Sequence, residues 1–349
     1  MDKILGYAAN SETEALVPFE FNRRDVGAKD VAFDVTHCGV CHSDLHQIKD
    51  DWGFSQYPMV PGHEVVGVVT SVGAQVTRFK VGQHVGVGCL VDSCQKCDPC
   101  KESEEQFCDE GSTQTYNGLD KHLGGVTYGG YSQKMVVNEA FILNMPENLD
   151  LAASAPLLCA GITTYSPLQR AGVTSGTKVG VVGLGGLGHM AVKIACAMGA
   201  HVTVISRTDD KKDDALRLGA HALLASNSYQ AMSDAENSFD FILDTVSAQH
   251  DVNQLFNLLK RKGRLTQVGL PSEDLSVSVF PLVFKQLQFT GSLIGGIRET
   301  QEMLDFCGKH NITSDIELIK MSEINDAFAR LEKSDVKYRF VIDVKNSDF

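Results

Sequence analysis

Short apolar runs punctuated by Gly and Pro fill the chain up to about residue 147. Residues 31–35 and 64–69 predict strands, and residues 81–85 predict a turn leading into another. From about residue 155 the pattern changes. A short apolar strand at 179–182 precedes an apolar helix running from about 186 to 198. Further strands are predicted at 201–205, 222–224, 241–244, 265–268 and 289–293, with helical stretches between most of them. Apolar strands alternating with helices imply a doubly wound parallel sheet, so the chain reads as α/β behind a β-rich first domain. The tail from about residue 296 predicts a helix at 299–310 and a last strand at 339–344. Periodicity assigns that tail to neither domain.

Composition narrows the function. The 349 residues suffice for two domains. With 31 Lys and Arg against 44 Asp and Glu, the net charge is −13. That disfavours a nucleic-acid partner, which needs clustered cations. The apolar stretch from Val179 to Met198 is interrupted by His189 and Lys193, so it predicts no membrane span. Met1-Asp2-Lys3-Ile4-Leu5-Gly6 has no apolar signal core, and a cytoplasmic protein is expected. Ten cysteines in that setting point to metal or reactive thiols rather than disulfides.

Cys94, Cys97, Cys100 and Cys108 are spaced C-x2-C-x2-C-x7-C. Four thiolates that close together complete a tetrahedral zinc shell with no open position, which describes a structural site. The same spacing opens ferredoxin-like iron–sulfur runs, but those follow the fourth cysteine with Pro, and here Asp109 stands there. Zinc is the expected metal.

Cys41, His63 and Glu64 offer a thiolate, an imidazole and a carboxylate. Each alone is as readily a core or turn residue. Spacing leaves a further ligand open among Cys38, Cys89, Cys159, Cys196 and Cys307.

Gly183-Leu184-Gly185-Gly186-Leu187-Gly188 follows a predicted strand and opens a predicted helix. A pyrophosphate-cradling loop needs that context, so Gly183, Gly185, Gly186, Leu187 and Gly188 are candidate cofactor residues. His189, just beyond, reads as a helix-surface residue. The next strand ends in Ser206-Arg207-Thr208, with Lys211 beyond. An enzyme that uses NAD usually has an acidic residue there for the ribose 2′-hydroxyl. A hydroxyl and a guanidinium suit a 2′-phosphate instead, so NADP(H) is the expected cofactor.

Together these runs resemble the zinc-dependent medium-chain alcohol dehydrogenases, in particular their cinnamyl alcohol dehydrogenase branch and its bacterial NADPH-dependent aldehyde reductases. The carriers include Gly39-Val40-Cys41-His42-Ser43-Asp44-Leu45-His46, Val60-Pro61-Gly62-His63-Glu64, the four-cysteine loop and Gly129-Gly130-Tyr131-Ser132. Pro156-Leu157-Leu158-Cys159-Ala160-Gly161-Ile162-Thr163 and the glycine loop complete the set, which spans nearly the whole chain.

The resemblance implies a GroES-like catalytic domain over 1–153 and 296–349, and a Rossmann dinucleotide-binding domain over 154–295. It implies two zinc ions per chain. Cys41, His63 and Cys159 would hold the catalytic one, with Glu64 as exchangeable or neighbouring carboxylate. Asp44 would orient His63. Ser43 would be the hydroxyl of a proton relay ending at His46. His42, Thr163, Ser206, Arg207, Lys211, Ser292, Ile294 and Arg339 match cofactor-contact positions. Trp52, Leu90 and Ile294 match substrate-pocket positions. Plant members often carry Thr where Ser43 stands, and either hydroxyl serves chemically. A homodimer built on the edge strand near 289–294 is also implied.

The expected activity is hydride transfer between NADPH and a small aldehyde, aromatic or medium-chain aliphatic. Two rivals differ in kind. One is an NAD-dependent polyol-type dehydrogenase on the same fold, which would favour an acidic residue at Ser206. The other is a non-catalytic NADPH-binding redox sensor with the thiolates as its responsive element.

Overall fold

The computed structural model describes residues 2–271 and 273–349. In chain order come β1 (Asp2–Ala8), β2 (Val17–Arg23), β3 (Asp30–Gly39), α1 (His42–Ile48), β4 (Val65–Val72), β5 (His84–Val87), β6 (Leu90–Asp92), α2 (Asp98–Lys101), β7 (Thr113–Gln114), β8 (Lys134–Asn138), β9 (Leu143–Asn144) and α3 (Leu151–Ser154). There follow α4 (Ala160–Arg170), β10 (Lys178–Val182), α5 (Gly186–Ala197), β11 (His201–Ser206), α6 (Lys212–Arg217), β12 (Ala222–Ala225), α7 (Tyr229–Asp234), β13 (Phe239–Asp244), α8 (Val252–Leu258), β14 (Leu259–Gln267), α9 (Val279–Lys285) and β15 (Gln288–Gly291). The chain closes with α10 (Ile297–His310), β16 (Ile316–Ile319), α11 (Ile324–Glu332) and β17 (Arg339–Asp343).

Two compact units result. One comprises residues 2–159 with Gly295–Phe349, the other Ala160–Ile294. The first unit is built on a seven-stranded sheet in the order β16-β17-β3-β4-β5-β9, with β8 also paired to β3. β3 runs antiparallel to β4, β8 and β17. The tail joins this unit for a physical reason. α11 places Ile324, Ala327, Phe328 and Leu331 on one buried stripe. α10 does the same with Thr300, Met303, Leu304 and Cys307. β17 then enters the sheet between β16 and β3. Residues 151–158 also belong here, because they pack on β3, β4 and β17. The unit boundary therefore falls after Cys159 rather than after residue 153.

The second unit carries a six-stranded parallel sheet in the order β12-β11-β10-β13-β14-β15. The chain winds outward from β10 to β12, then returns to lay β13 on the other side of β10. That reversal makes the carboxyl ends of β10 and β13 the switch point where such sheets bind ligands. Phe256, Leu259 and Leu265 are fully buried in its core, and Phe256 meets the Phe289 ring edge-on at 5.5 Å.

Three expectations need correction. His189 is fully buried rather than on the helix surface, because Met190, Ala191, Val192, Ile194 and Ala195 of α5 are buried with it. The strand expected at 265–268 begins earlier, at Leu259. The strand expected at 289–293 ends at Gly291, and Ile294 adopts a positive φ of 36° that no strand residue uses. Among the described residues no helix is long and apolar enough to cross a membrane.

Truncating Phe256 to Ala should lower unfolding stability by about 3–5 kcal/mol, through lost burial plus the cavity left behind. Urea unfolding followed by circular dichroism measures it. A loss under about 1 kcal/mol would place Phe256 outside the packed core.

Candidate metal centres and cofactor crevice

The first centre lies at the β3–α1 junction. Cys41 caps the start of α1, and its N–H donates to Asp44 Oδ2 at 2.9 Å. His63 follows Gly62, whose φ is 102° and whose Cβ, were there one, would lie 2.6 Å from the Tyr131 ring. Only glycine turns the chain there without a clash. Cys159 arrives at the end of residues 151–158. Ligand-type atoms of Cys41, His63, Glu64 and Cys159 all lie within 4.8 Å of one another, and all four residues are buried.

Asp44 organises the group. Its fully buried carboxylate accepts from Cys41 N–H, from Tyr131 Oη at 3.2 Å, from Gly62 N–H at 3.3 Å and from His63 Nδ1 at 3.0 Å. That last bond leaves His63 Nε2 free to face a metal. Burial works against a charged His63, but Asp44 outweighs it and the imidazole becomes more basic. The hydrogen bond from Cys159 holds the Cys41 thiol well below its ordinary range, helped by His63 and Arg339 against burial.

Glu64 has two different oxygens. Oε1 pairs with the buried Arg339 guanidinium, which also donates to the Val40 carbonyl at 2.8 Å. Oε2 is buried with no hydrogen-bond partner. Burial pushes the carboxyl up to about 8, with Arg339 pulling it down. Gly39 makes room for it, since a Cβ there would sit 1.9 Å from Oε2. Arg339, expected at the cofactor, is thus bonded to the metal centre's carboxylate.

The chemistry of the donor set fits a metal. A tetrahedron with zinc–sulfur bonds of about 2.3 Å has sulfur–sulfur edges of about 3.8 Å. Cys41 and Cys159 stand 4.0 Å apart, too far for a disulfide and right for two ligands of one ion. Two thiols, an imidazole and an orphaned carboxylate oxygen suit zinc.

The four-cysteine loop meets the same measure. Cys94 and Cys100 sulfurs are 3.9 Å apart, Cys97 and Cys108 4.0 Å. N–H groups of Lys96 and Cys97 donate to Cys94 Sγ, and that of Cys94 to Cys108 Sγ. The Lys96 N–H is the main reason the Cys94 thiol falls to about 6, a thiolate at neutral pH. Backbone donors that favour sulfur anions prepare this loop for a cation.

Beside the first centre, Ser43 and His46 lie three apart on α1 and so share a face. His46 Nδ1 bonds Asp51 Oδ2 at 2.7 Å, and its ring lies 5.5 Å from that of Trp52. His42 is exposed at the first turn of α1, 6.4 Å from the His46 ring. Leu90 is buried at the start of β6, and Trp52 is 36% exposed.

The cofactor crevice lies in the second unit. Gly183 has a φ of 87°, and a Cβ at Gly188 would sit 2.2 Å from the Gly183 carbonyl. A Cβ at Gly185 would meet nothing within 4 Å. The turn therefore needs two of its glycines for closure, and the third leaves open space at the N-terminus of α5. Gly186 and Leu187 begin that helix. Lys211 Nζ donates to the Leu184 carbonyl at 3.1 Å and so braces the loop. β11 ends at Ser206, followed by the exposed Arg207, with no carboxylate at the strand end. Thr163 is buried in α4, and Ser292 Oγ is buried with no hydrogen-bond partner.

Sequence reasoning missed several participants. Tyr131 sat in a quoted motif without a role. Tyr116, stacked 5.8 Å from the His63 ring, had no signal. Asp51, five residues after His46, was within reach of a local search.

Asp44→Asn keeps the shape of the carboxylate but loses its charge and should weaken zinc at the first centre by about 10–100-fold. Zinc counted after dialysis against a weak chelator should fall from about two per chain to about one. Full retention would remove Asp44 from its orienting part.

Comparison with known proteins agrees with this geometry. Residues 27–147 match the model of the alcohol dehydrogenase GroES-like domain, and residues 186–309 that of the zinc-binding dehydrogenases. Cinnamyl alcohol dehydrogenase 8 of Arabidopsis thaliana is 56% identical over 98% of this chain and 95% of its own. The solved cinnamyl alcohol dehydrogenase of Sorghum bicolor superposes with a TM-score of 0.96 at 48% identity, covering 99% of each chain. That of Helicobacter pylori, complexed with NADP(H), gives 0.92 at 44% identity, again covering 99% of each. The chain therefore belongs to the zinc-dependent medium-chain alcohol dehydrogenases, in their cinnamyl alcohol dehydrogenase branch.

Proposed function

We propose that this oxidoreductase reduces small aldehydes with NADPH, and oxidises the corresponding alcohols in reverse. The observation that carries this reading is the buried convergence of Cys41, His63, Glu64 and Cys159 beside a helix bearing Ser43 and His46. The carboxylate-free end of β11 and the NADP(H) complex of the H. pylori relative support the choice of cofactor.

When bound, zinc supplies Lewis acidity toward a carbonyl oxygen and NADPH supplies the hydride. The residues do the rest. Cys41, His63 and Cys159 would hold the metal. Asp44 fixes the His63 tautomer. Ser43 Oγ would give a proton to the substrate oxygen, and His46, oriented by Asp51, would replenish it. Glu64 Oε2, unpartnered and admitted by the absence of a Cβ on Gly39, would serve as an exchangeable ligand. Trp52 and Leu90 shape the substrate pocket. Arg207 and Lys211 bind the 2′-phosphate, Ser206 the ribose. Thr163, Ser292 and the glycine loop contact the remainder.

A further partner is a second copy of this chain. Among the described residues β15 ends its sheet with one edge unpaired. In α9, just before it, Val279, Phe280, Val283 and Phe284 are 63–79% exposed. An apolar helix face beside an open strand edge favours isologous edge-to-edge pairing. Ten free thiols suit a reducing compartment, the cytoplasm.

NADPH oxidation with benzaldehyde, cinnamaldehyde and a short aliphatic aldehyde, on zinc-counted protein, tests the reaction. Turnover should be faster with NADPH than with NADH, and Cys41→Ala should abolish it. Arg207→Ala should raise the NADPH Michaelis constant about tenfold, the worth of one charge-assisted hydrogen bond, and leave that for NADH unchanged. No turnover at full zinc, with NADPH bound, would favour the redox sensor. A preference for NADH would favour the polyol-type dehydrogenase.

Phe280→Asp with Phe284→Asp should convert a dimer into a monomer in light scattering. A wild-type monomer would remove the edge-strand dimer.

A further inference from the structure

The loop that follows β13 is closed by an ion pair that no step above uses. Asp244 ends β13 and is fully buried. Its Oδ1 accepts the Val246 N–H at 3.1 Å, and its Oδ2 lies 2.6 Å from His250 Nε2. The other ring nitrogen of His250, Nδ1, lies 2.9 Å from the Ala248 carbonyl. Both nitrogens therefore face oxygen acceptors. A neutral imidazole carries one N–H and can serve only one of them. The pair is satisfied only when it holds one proton more than a carboxylate and a neutral imidazole.

The loop so closed is a wall of the cofactor crevice. Thr245 fastens it to the end of β10, donating its N–H at 3.1 Å and its hydroxyl at 2.7 Å to the Val182 carbonyl. A Cβ at Gly183 would lie 3.0 Å from Val246 Cγ2 and 3.1 Å from Thr245 Oγ1, so the loop rests on the first glycine of the phosphate turn. On the far side Gln267 Nε2 donates to the Val246 carbonyl at 3.2 Å, and Leu270 N–H to Ser247 Oγ at 3.2 Å. This is the switch point between β10 and β13, where a doubly wound sheet receives its ligand.

We propose that His250 is a positioning residue for the cofactor: protonated, it clasps Asp244 and the Ala248 carbonyl, keeps residues 245–250 closed beside the glycine loop, and weakens its hold on NADP(H) when it loses that proton. The proposal rests on the reading of this crevice as the NADP(H) site.

The ionisable groups acting on His250 are Asp244 and Asp251, the residue that caps α8. The Asp244 bond raises the His250 pKa, burial opposes it, and the Ala248 carbonyl and Asp251 add to the rise. The clasp is thus intact below the ordinary histidine value of about 6.5 and is lost as pH rises through the raised folded value.

NADPH binding to the zinc-loaded enzyme, read by nicotinamide fluorescence from about pH 6 to about pH 9, tests this around the histidine range. The wild-type dissociation constant should rise about three- to tenfold across the range, the net worth of one ordinary hydrogen bond. His250→Gln should bind about that much more weakly already at low pH, lose the rise, and keep its kcat at saturating NADPH. Equal affinity and an unchanged profile in His250→Gln would overturn the proposal. So would kcat and affinity falling together with the melting temperature, which marks a merely structural residue. If the variant fails to fold, a flat wild-type profile still overturns it. Absence of NADPH binding to the wild type at any pH would instead strike the cofactor reading itself.

Discussion

The first unit turns on the buried carboxylate of Asp44. Four donors converge on it from three separate segments: Cys41 N–H, Gly62 N–H with His63 Nδ1, and Tyr131 Oη. A carboxylate removed from water is costly unless its lone pairs are met, and here each oxygen has two partners. The convergence fixes two elements that deliver ligands, the α1 cap and the turn before His63, relative to each other before any metal arrives. Behind Tyr131, Arg23 donates to the Tyr128, Gly129 and Lys134 carbonyls and to Ser132 Oγ. The packing of a distant strand, β2, is thereby transmitted to the ring that holds Asp44.

Much of the second unit was legible from local pattern. The apolar strand at β10, the glycines after it and the helix that follows announce themselves, because each choice is dictated by backbone geometry within a few residues. Gly188 must be glycine because the Gly183 carbonyl occupies the place of its side chain. The four-cysteine loop was legible for a similar reason, since its ligands are close in sequence and their spacing carries the tetrahedron.

The first metal centre was not legible that way. Cys41 and Cys159 are 118 positions apart, and nothing local marks either as a ligand; likeness to a family supplied the pairing. Arg339 and His250 were illegible to periodicity for the same cause. A charged residue at the start of a strand and a histidine in a loop look ordinary until the fold brings Glu64 and Asp244 to them. His189 misled in the opposite direction. A polar residue in an apolar helix reads as surface, yet α5 is covered around most of its circumference, and the ring is buried with its Nδ1 3.2 Å from the Gly185 carbonyl.

Arg339 stands on β17, while the carboxylate it neutralises stands at position 64. During synthesis Glu64, Cys41 and His63 all emerge long before that guanidinium exists. The nascent first unit therefore spends most of translation with an uncompensated acid and with the place beside β3 open where β17 will lie. All four of its ligands, Cys159 included, are made before the dinucleotide-binding unit begins at Ala160, whereas the cation that balances Glu64 comes after that unit. Charge balance is in this sense the closing event: a chain shortened before β17 would keep every ligand of the centre yet leave the Glu64 carboxylate without its guanidinium.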